Sequence, residues 1–407
     1  MKKSLILAGL LLATATLVAQ QAPPPAPPPA PAPAGAPPAG RGGAGGGTPI
    51  RSPEVAPDGR VTFRLRAPAA IVVFVSVGGQ RLAMTKNEQG VWTATTPDPL
   101  KPEIYTYSFN VDGTNFNDPL NPNFKTAFGN AGTSLLRVPG SAPWDPTDVP
   151  RGSITHHFYK SGVIGDDRDY YVYTPPNYDR NRKEPYPVLY LFHGLTDDAA
   201  GWITVGAANV ILDNLIAQGK AKPMIMVNTL GYGTTDGRGR TTMTGPEQMP
   251  NFTNALITEI IPAVEKNYNA SKNRTDRAIA GLSMGGAESL YVGLNHLDKF
   301  AWIASFSGAF VMWPGVAGGG RGAAQPAVDP SAFATHFPAL DAKANSQIKM
   351  LWNVCGTADG LIGINRQFKD WLKAKNVTFT DTEVPDVAHV WPLWRQNLSE
   401  LAPKLFK

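Results

Sequence analysis

Residues 278–287 read Ala278-Ile279-Ala280-Gly281-Leu282-Ser283-Met284-Gly285-Gly286-Ala287, and the fold follows from them. A short apolar run enters Gly-x-Ser-x-Gly, and helix-forming residues leave it. That order builds a nucleophile elbow, a serine on a sharp strand-to-helix turn with its hydroxyl held over a cleft. The turn brings backbone so close that Gly281 and Gly285 must lack side chains. The helix starting near Gly285 points its amide end at charge developing on a reacting oxygen. The five-residue pattern alone recurs by chance. The strand before it, the helix after it and the partners downstream set this occurrence apart.

A serine hydroxyl needs a base to take its proton, and the base needs an acid to orient it. In chains that carry such an elbow the order is serine, acid, histidine. Two histidines follow at a suitable distance, His336 in helix-like surroundings and His389 after a strand and a turn. His389 is the expected base. His296 lies on the elbow helix itself and reads as a surface or capping residue. The acid belongs just past the strand that precedes the histidine. Lys349 to Val354 is that strand, and its exit loop, Cys355-Gly356-Thr357-Ala358-Asp359, supplies Asp359. Asp386 is the rival, although an aspartate on the histidine's own loop usually faces solvent. Two backbone amides complete the site: Met284, after the nucleophile, and Leu195, in the loop Leu191-Phe192-His193-Gly194-Leu195. His193 precedes the serine and reads as a structural loop orienter.

Around this centre, strands alternate with helices. Asp169–Tyr173, Pro187–Phe192, Met224–Thr229, Trp302–Phe306, Ile348–Asn353 and Thr378–Val384 read as strands. Trp202–Gln218, Ile257–Asn267 and Asn365–Lys375 read as helices. The alternation implies a mainly parallel sheet covered on both faces, with its chemistry at the carboxyl ends of the strands. Trp202, Tyr232, Trp313 and Trp391 fall on loops expected at that end. There a ring could stack on an aromatic acyl group or a sugar, and packing beneath the loops is the competing role.

The chain before residue 141 is different. Lys2 and Lys3 precede an apolar run from Leu5 to Leu12 and small residues at Ala13, Ala15 and Ala19, so 1–19 reads as a secretory signal. Residues 20–50, rich in Pro and Ala and then Gly, form a spacer that cannot bury a core. From Arg51 to Gly140 short alternating runs are separated by Pro57-Asp58-Gly59, Gly78-Gly79, Gln89-Gly90 and Asp112-Gly113. This pattern suggests a β-sandwich, with Val61, Phe63 and Leu65 on one strand's inner face. No candidate nucleophile, base or metal set lies in it, so its removal is expected to spare chemistry on a small ester. The 407 residues are 43% hydrophobic and carry a formal charge of +5 without a Lys/Arg block, which does not indicate a nucleic-acid partner. Cys355 is the sole cysteine, so no intramolecular disulfide exists, and it reads as a small buried side chain. No metal or cofactor motif is present.

Ala67-Pro68, Gly90-Val91-Trp92, Tyr105-Thr106-Tyr107 and Val111-Asp112-Gly113, with Asp118-Pro119, resemble early-set immunoglobulin-like domains found beside carbohydrate-active enzymes, of isoamylase N-terminal and glycogen-binding type. Trp92 and Tyr107 read there as core; a polysaccharide contact is the second role. His193-Gly194, Gly201-Trp202, Gly281-Leu282-Ser283-Met284-Gly285-Gly286, Cys355-Gly356-Thr357-x-Asp359 and His389-x-Trp391-x-x-Trp394-Arg395 together resemble the esterase D and feruloyl esterase group, with its mycolyl-transferase and enterochelin-esterase relatives. From about Ser153 onward the resemblance implies an α/β-hydrolase domain (141–407). It also implies Ser283, Asp359 and His389 as triad, with Leu195 and Met284 at the oxyanion. Val387-Ala388 stands where the group often has glycine, and Val316–Pro330 is unusually rich in Gly, Ala and Pro.

The expected protein is a secreted or periplasmic bacterial serine esterase, without cofactor, acting on hydroxycinnamoyl or acetyl esters of plant cell-wall polysaccharide. Acyl transfer and siderophore-type ester hydrolysis are the alternatives within enzymes. A carbohydrate-binding protein on an inactive esterase scaffold is the alternative outside them.

Overall fold

Five consecutive apolar residues that must be buried on both faces can only occupy the middle of a covered sheet, and Val188–Phe192 is such a run. In the computed structural model it is the third of eight strands: β1 (Ser153–Lys160), β2 (Asp167–Thr174), β3 (Val188–Phe192), β4 (Ile225–Thr229), β5 (Arg277–Leu282), β6 (Trp302–Phe306), β7 (Met350–Gly356) and β8 (Thr380–Val384). Their spatial order is β1-β2-β4-β3-β5-β6-β7-β8. β1 and β2 are antiparallel to their neighbours, and the six strands from β4 to β8 run parallel. The structure describes residues 49–128, 132–236, 240–242, 245, 247–313, 316 and 330–407. The expected signal, nearly all of the spacer, and 317–329 of the Gly/Ala/Pro-rich loop lie outside them.

The period of two along β3 sorts its side chains into two cores. Val188, Tyr190 and Phe192 join the layer holding α2 (Gln248–Ala255), α3 (Met284–Asn295) and α5 (Ile362–Ala374). Leu189 and Leu191 join the opposite layer with α1 (Ala208–Ala217) and α6 (Trp391–Leu401). A short helix, α4 (Pro330–His336), adds Phe333 to the first layer. After α2 the chain passes through a π-helical turn, Leu256–Ile260, into Ile261–Asn267.

Two elements differ from expectation. The helix expected over Trp202–Gln218 is interrupted after Gly201–Thr204, because Ala207 takes a left-handed conformation (φ 49°) before α1. The edge strand β1 was not expected. Its Ile154 and Phe158 are exposed, so it lacks the in/out alternation that marks a half-buried strand.

The N-terminal strands form the sandwich. One sheet orders Glu54–Val55, Val61–Arg66, Val91–Thr95 and Thr85–Lys86. The other orders Gln80–Ala83, Val73–Val77, Glu103–Val111, Thr133–Val138 and Phe124–Lys125, with Thr114–Phe116 beside Glu103–Val111. Val61, Phe63, Leu65, Val75, Trp92, Tyr107 and Phe109 fill the space between the sheets. Trp92 and Tyr107 are core residues, as read. The sandwich is not a separate body: Ile50 to Lys407 forms one compact unit.

Candidate active site

The elbow strand β5 ends at Leu282, and α3 begins at Met284. Ser283 between them holds φ 54° and ψ −114°, a conformation costly for a residue with a side chain. Neighbouring backbone enforces it. The Ser283 amide donates to Phe306 O at 2.9 Å, and its carbonyl accepts from the Ala287 and Ala309 amides. A Cβ on Gly281 would lie 2.4 Å from Gly285 O, and one on Gly285 would lie 2.5 Å from Phe192 O. Both glycines of the motif are therefore obligatory.

His389 and Asp359 meet. His389 Nδ1 and Asp359 Oδ2 are 2.8 Å apart, and Asp359 Oδ1 accepts the Leu361 amide at 2.9 Å. Asp359 is buried. Burial alone would raise its pKa, but the bond and charge of His389, the Leu361 amide and the Ser307 hydroxyl outweigh that and hold it below the usual carboxylate value. The two loops are stitched together. The Thr357 amide donates to Val384 O, the Ala358 amide to Val387 O, and the Asp386 amide to Thr357 Oγ1. Gly356 is needed because a Cβ there would lie 2.0 Å from Val387 O. Asp386 is exposed, at φ 57°, and makes its contact through its amide.

Ser283, His389, Gly194, Leu195, Leu282 and Trp391 line one cleft of about 740 Å³. The Met284 amide heads α3, where the first four helical N–H groups have no intrahelical acceptor. Its side chain is buried with Ala199, Leu230 and Tyr232. His193 is fully committed to structure. Its Nε2 accepts the Gly231 amide at 2.9 Å, which leaves Nδ1 to donate to Gly194 O at 2.8 Å. Its carbonyl accepts the Gly285 amide. Burial pushes its pKa down, consistent with this neutral tautomer.

The four aromatic residues separate. Trp391 lines the cleft. Trp202, Tyr232 and Trp313 do not, because each is buried and spends its polar atom on a carbonyl: Trp202 Nε1 on Phe192 O, Tyr232 Oη on Asp197 O, and Trp313 Nε1 on Ala287 O. For these three the packing role is the correct one. His336 ends α4 against the rings of Tyr291 and Trp313, and His296 closes the elbow helix. Burial raises the pKa of the Cys355 thiol.

No local pattern pointed to the cleft's other wall. Gln80, Arg81, Glu103, Tyr105 and Lys125 of the sandwich line the cavity that holds Ser283 and His389. Lys125 is ion-paired with Asp197. Glu288 and Gln248, buried behind the elbow, were also missed. A lone glutamate in the otherwise uncharged helix Met284–Asn295 was the available signal. Among the described residues no cluster of His, Cys, Asp or Glu is placed to hold a metal. None of the described helices is long and apolar enough to cross a membrane.

A serine at an elbow, in one cleft with a histidine bonded to a buried carboxylate, brings together the groups that acyl transfer through a serine ester needs. The chain is 32% identical, over 87% of its length, to an endo-1,4-beta-xylanase/feruloyl esterase of Xylanibacter ruminicola, of which it covers 46%. The chain thus spans about half the length, or less, of the first curated relatives it matches. A ferulic acid esterase of Anaeromyces mucronatus superposes with a TM-score of 0.55 at 25% identity, covering 66% of this chain and 96% of that one. The enterobactin esterase of Shigella flexneri shares the fold with a TM-score of 0.58 at 20% identity, over 84% of this chain and 92% of that one. The sequence model of the Esterase family matches residues 161–405, and on that match this α/β-hydrolase chain belongs to the Esterase family.

Proposed function

We propose that this protein is a secreted or periplasmic serine esterase that removes hydroxycinnamoyl or acetyl groups from plant cell-wall polysaccharide. One observation carries the reading: the 2.8 Å bond between His389 and Asp359 in the cleft that also holds Ser283. With Nδ1 bound to Asp359, the Nε2 of His389 is the nitrogen left to take the Ser283 proton. Ser283 Oγ attacks the ester carbonyl, and the oxyanion forms against the Leu195 and Met284 amides. His389 returns the proton to the departing sugar oxygen, leaving an acyl-enzyme. Water, deprotonated by His389, then releases the acid and regenerates the serine. Asp359 stabilises the imidazolium at each transfer without itself taking the proton. Feruloyl esterase relatives and the Lys2-Lys3 leader pattern support the substrate class and the location.

The test uses purified protein with methyl ferulate, acetylated xylan and a long-chain ester. Release of ferulate or acetate, abolished in Ser283→Ala, is the expected result. Turnover confined to the long-chain ester would overturn the substrate class, and near wild-type turnover by Ser283→Ala would overturn the nucleophile.

A further inference from the structure

The elbow helix carries an acid that the reaction does not use. Glu288 lies one turn beyond Met284 on α3 and is fully buried. Its Oε1 accepts from Gln248 Nε2 at 3.2 Å, and its Oε2 has no hydrogen-bond partner among the described residues. A Cβ on Gly231 would come within 3.0 Å of Oε2, so the carboxyl lies against that glycine. Gln248, also buried, is used at both ends. Its Nε2 donates to Gly231 O at 2.7 Å, and its Oε1 accepts the Gly233 amide at 2.6 Å. The Gly231 amide donates to His193 Nε2, and His193 Nδ1 donates to Gly194 O, one residue before Leu195. A continuous chain of hydrogen bonds thus runs from the elbow helix to the loop on the far side of Ser283.

We infer that Glu288 is a positioning residue: it clamps Gln248, and through Gly231 and His193 it fixes the loop that presents the Leu195 amide opposite that of Met284. The inference rests on the reading of those two amides as the oxyanion donors. The surroundings favour the neutral acid. Burial raises its pKa well above the ordinary glutamate value, while the bond from Gln248 and the charge of Arg168 oppose this without overcoming it. Arg168 on β2 is spent on Leu230 O and Asp166. Tyr232 and neutral His193 also lie on this side, and the charges of Asp197 and Asp198 act on both. A neutral acid suits the place, since a carboxylate one helical turn behind Met284 would oppose charge developing on the substrate oxygen.

The test is hydrolysis of p-nitrophenyl acetate by the full chain. Glu288→Gln retains a polar clamp and should keep kcat within about twofold. Glu288→Leu should lower kcat by about tenfold to a hundredfold with KM nearly unchanged, the scale of a misplaced catalytic group. Gln248→Leu should match it and add little in the double variant, because both act through one chain. Should Glu288→Leu fail to fold, Gln248→Leu carries the same test. Melting gives a second readout. Above about pH 4.3 the unfolded glutamate releases a proton that the folded one keeps, so this group makes the wild type less stable as pH rises. The stability of Glu288→Gln relative to the wild type should therefore rise as pH climbs above about 4.3. Normal kcat in a folded Glu288→Leu, or equal losses in Glu288→Gln and Glu288→Leu, would overturn the inference alone. A wild type inactive on the ester would overturn the esterase reading, and this one with it.

Discussion

Arg395 Nη2 on the last helix donates to Glu103 Oε1 of the sandwich at 2.6 Å, with the guanidinium fully buried between them. The same guanidinium donates to Val205 O and Ile104 O and lies over the Trp144 ring. Arg395 stands on α6, whose first turn begins two residues after His389. The contact therefore fixes the sandwich against the element that leaves the His389 loop. Breaking a buried pair from one side leaves an uncompensated charge, at a cost of about 3–5 kcal/mol. Glu103→Ala should lose stability on that scale in urea unfolding, and adding Arg395→Met, which removes the stranded charge, should recover part of the loss. A Glu103→Ala protein within about 1 kcal/mol of wild type would mean that the two backbone carbonyls suffice.

The same contact revises what truncation should do. Sequence alone suggested that residues before 141 could be removed without harm to small-ester chemistry. The sandwich instead walls the cleft and covers Arg395. A chain starting at Ser141 should melt well below the full protein and turn over p-nitrophenyl acetate more slowly. Unchanged melting and unchanged kcat in the truncated chain would restore the simpler division of labour.

Asp359→Asn should cut turnover by roughly 10⁴, since an amide there favours the wrong imidazole tautomer. Asp386→Asn should leave it nearly unchanged, because that side chain is exposed and its residue is held by its amide. Initial rates on p-nitrophenyl acetate decide between them. A crippled Asp386→Asn would move the acid onto the histidine's own loop.

What could be read in the sequence was written in local patterns. Gly281 is demanded by the Gly285 backbone four residues on, Gly285 by the Phe192 and His193 carbonyls at the end of the neighbouring strand, and β5 is buried on both faces, so pattern and geometry coincide there. Asp359 could be chosen over Asp386 because a parallel sheet delivers strand ends to one side. The unreadable part is long-range. Glu103 and Arg395 stand 292 residues apart, and no periodicity couples them. Whether Trp202 faces the cleft or the core depends on Phe192 O accepting its indole, which only the packed chain decides. β1 escaped because its apolar Ile154 and Phe158 face solvent while His157 and Tyr159 are the half-buried side chains, so hydrophobicity does not alternate in step with burial.

His193 gives a pH signature. Burial lowers its folded pKa, so below about pH 6.5 the unfolded chain binds a proton that the folded histidine refuses. Its contribution is fully present above that pH and is lost as pH falls toward the folded value. Urea unfolding across pH 5 to 8 should show wild-type stability dropping on the acid side, and His193→Asn should flatten that part of the curve. Parallel curves for the two proteins would show that His193 can be protonated in place.

Trp391 and Trp202 touch, yet they should fail in different ways. Their rings meet edge to face, 5.2 Å between centroids, and Trp391 also packs on Trp394 at 5.4 Å. Trp391 lines the cleft beside His389, while Trp202 is fully buried beneath it. Trp202→Ala opens a cavity in the core and should cost about 3–5 kcal/mol, lowering turnover of every ester through loss of folded protein. Trp391→Ala removes a ring that an aromatic acyl group could meet, an interaction of about 0.5–1.5 kcal/mol beyond buried area. Its kcat/KM for methyl ferulate should therefore fall by up to about tenfold, while that for p-nitrophenyl acetate stays within about twofold. Kinetics on both esters, with melting curves on the same samples, separate the two effects. Equal losses on both esters in a Trp391→Ala protein of normal stability would mean that the ring holds the His389 loop in place and does not meet the acyl group.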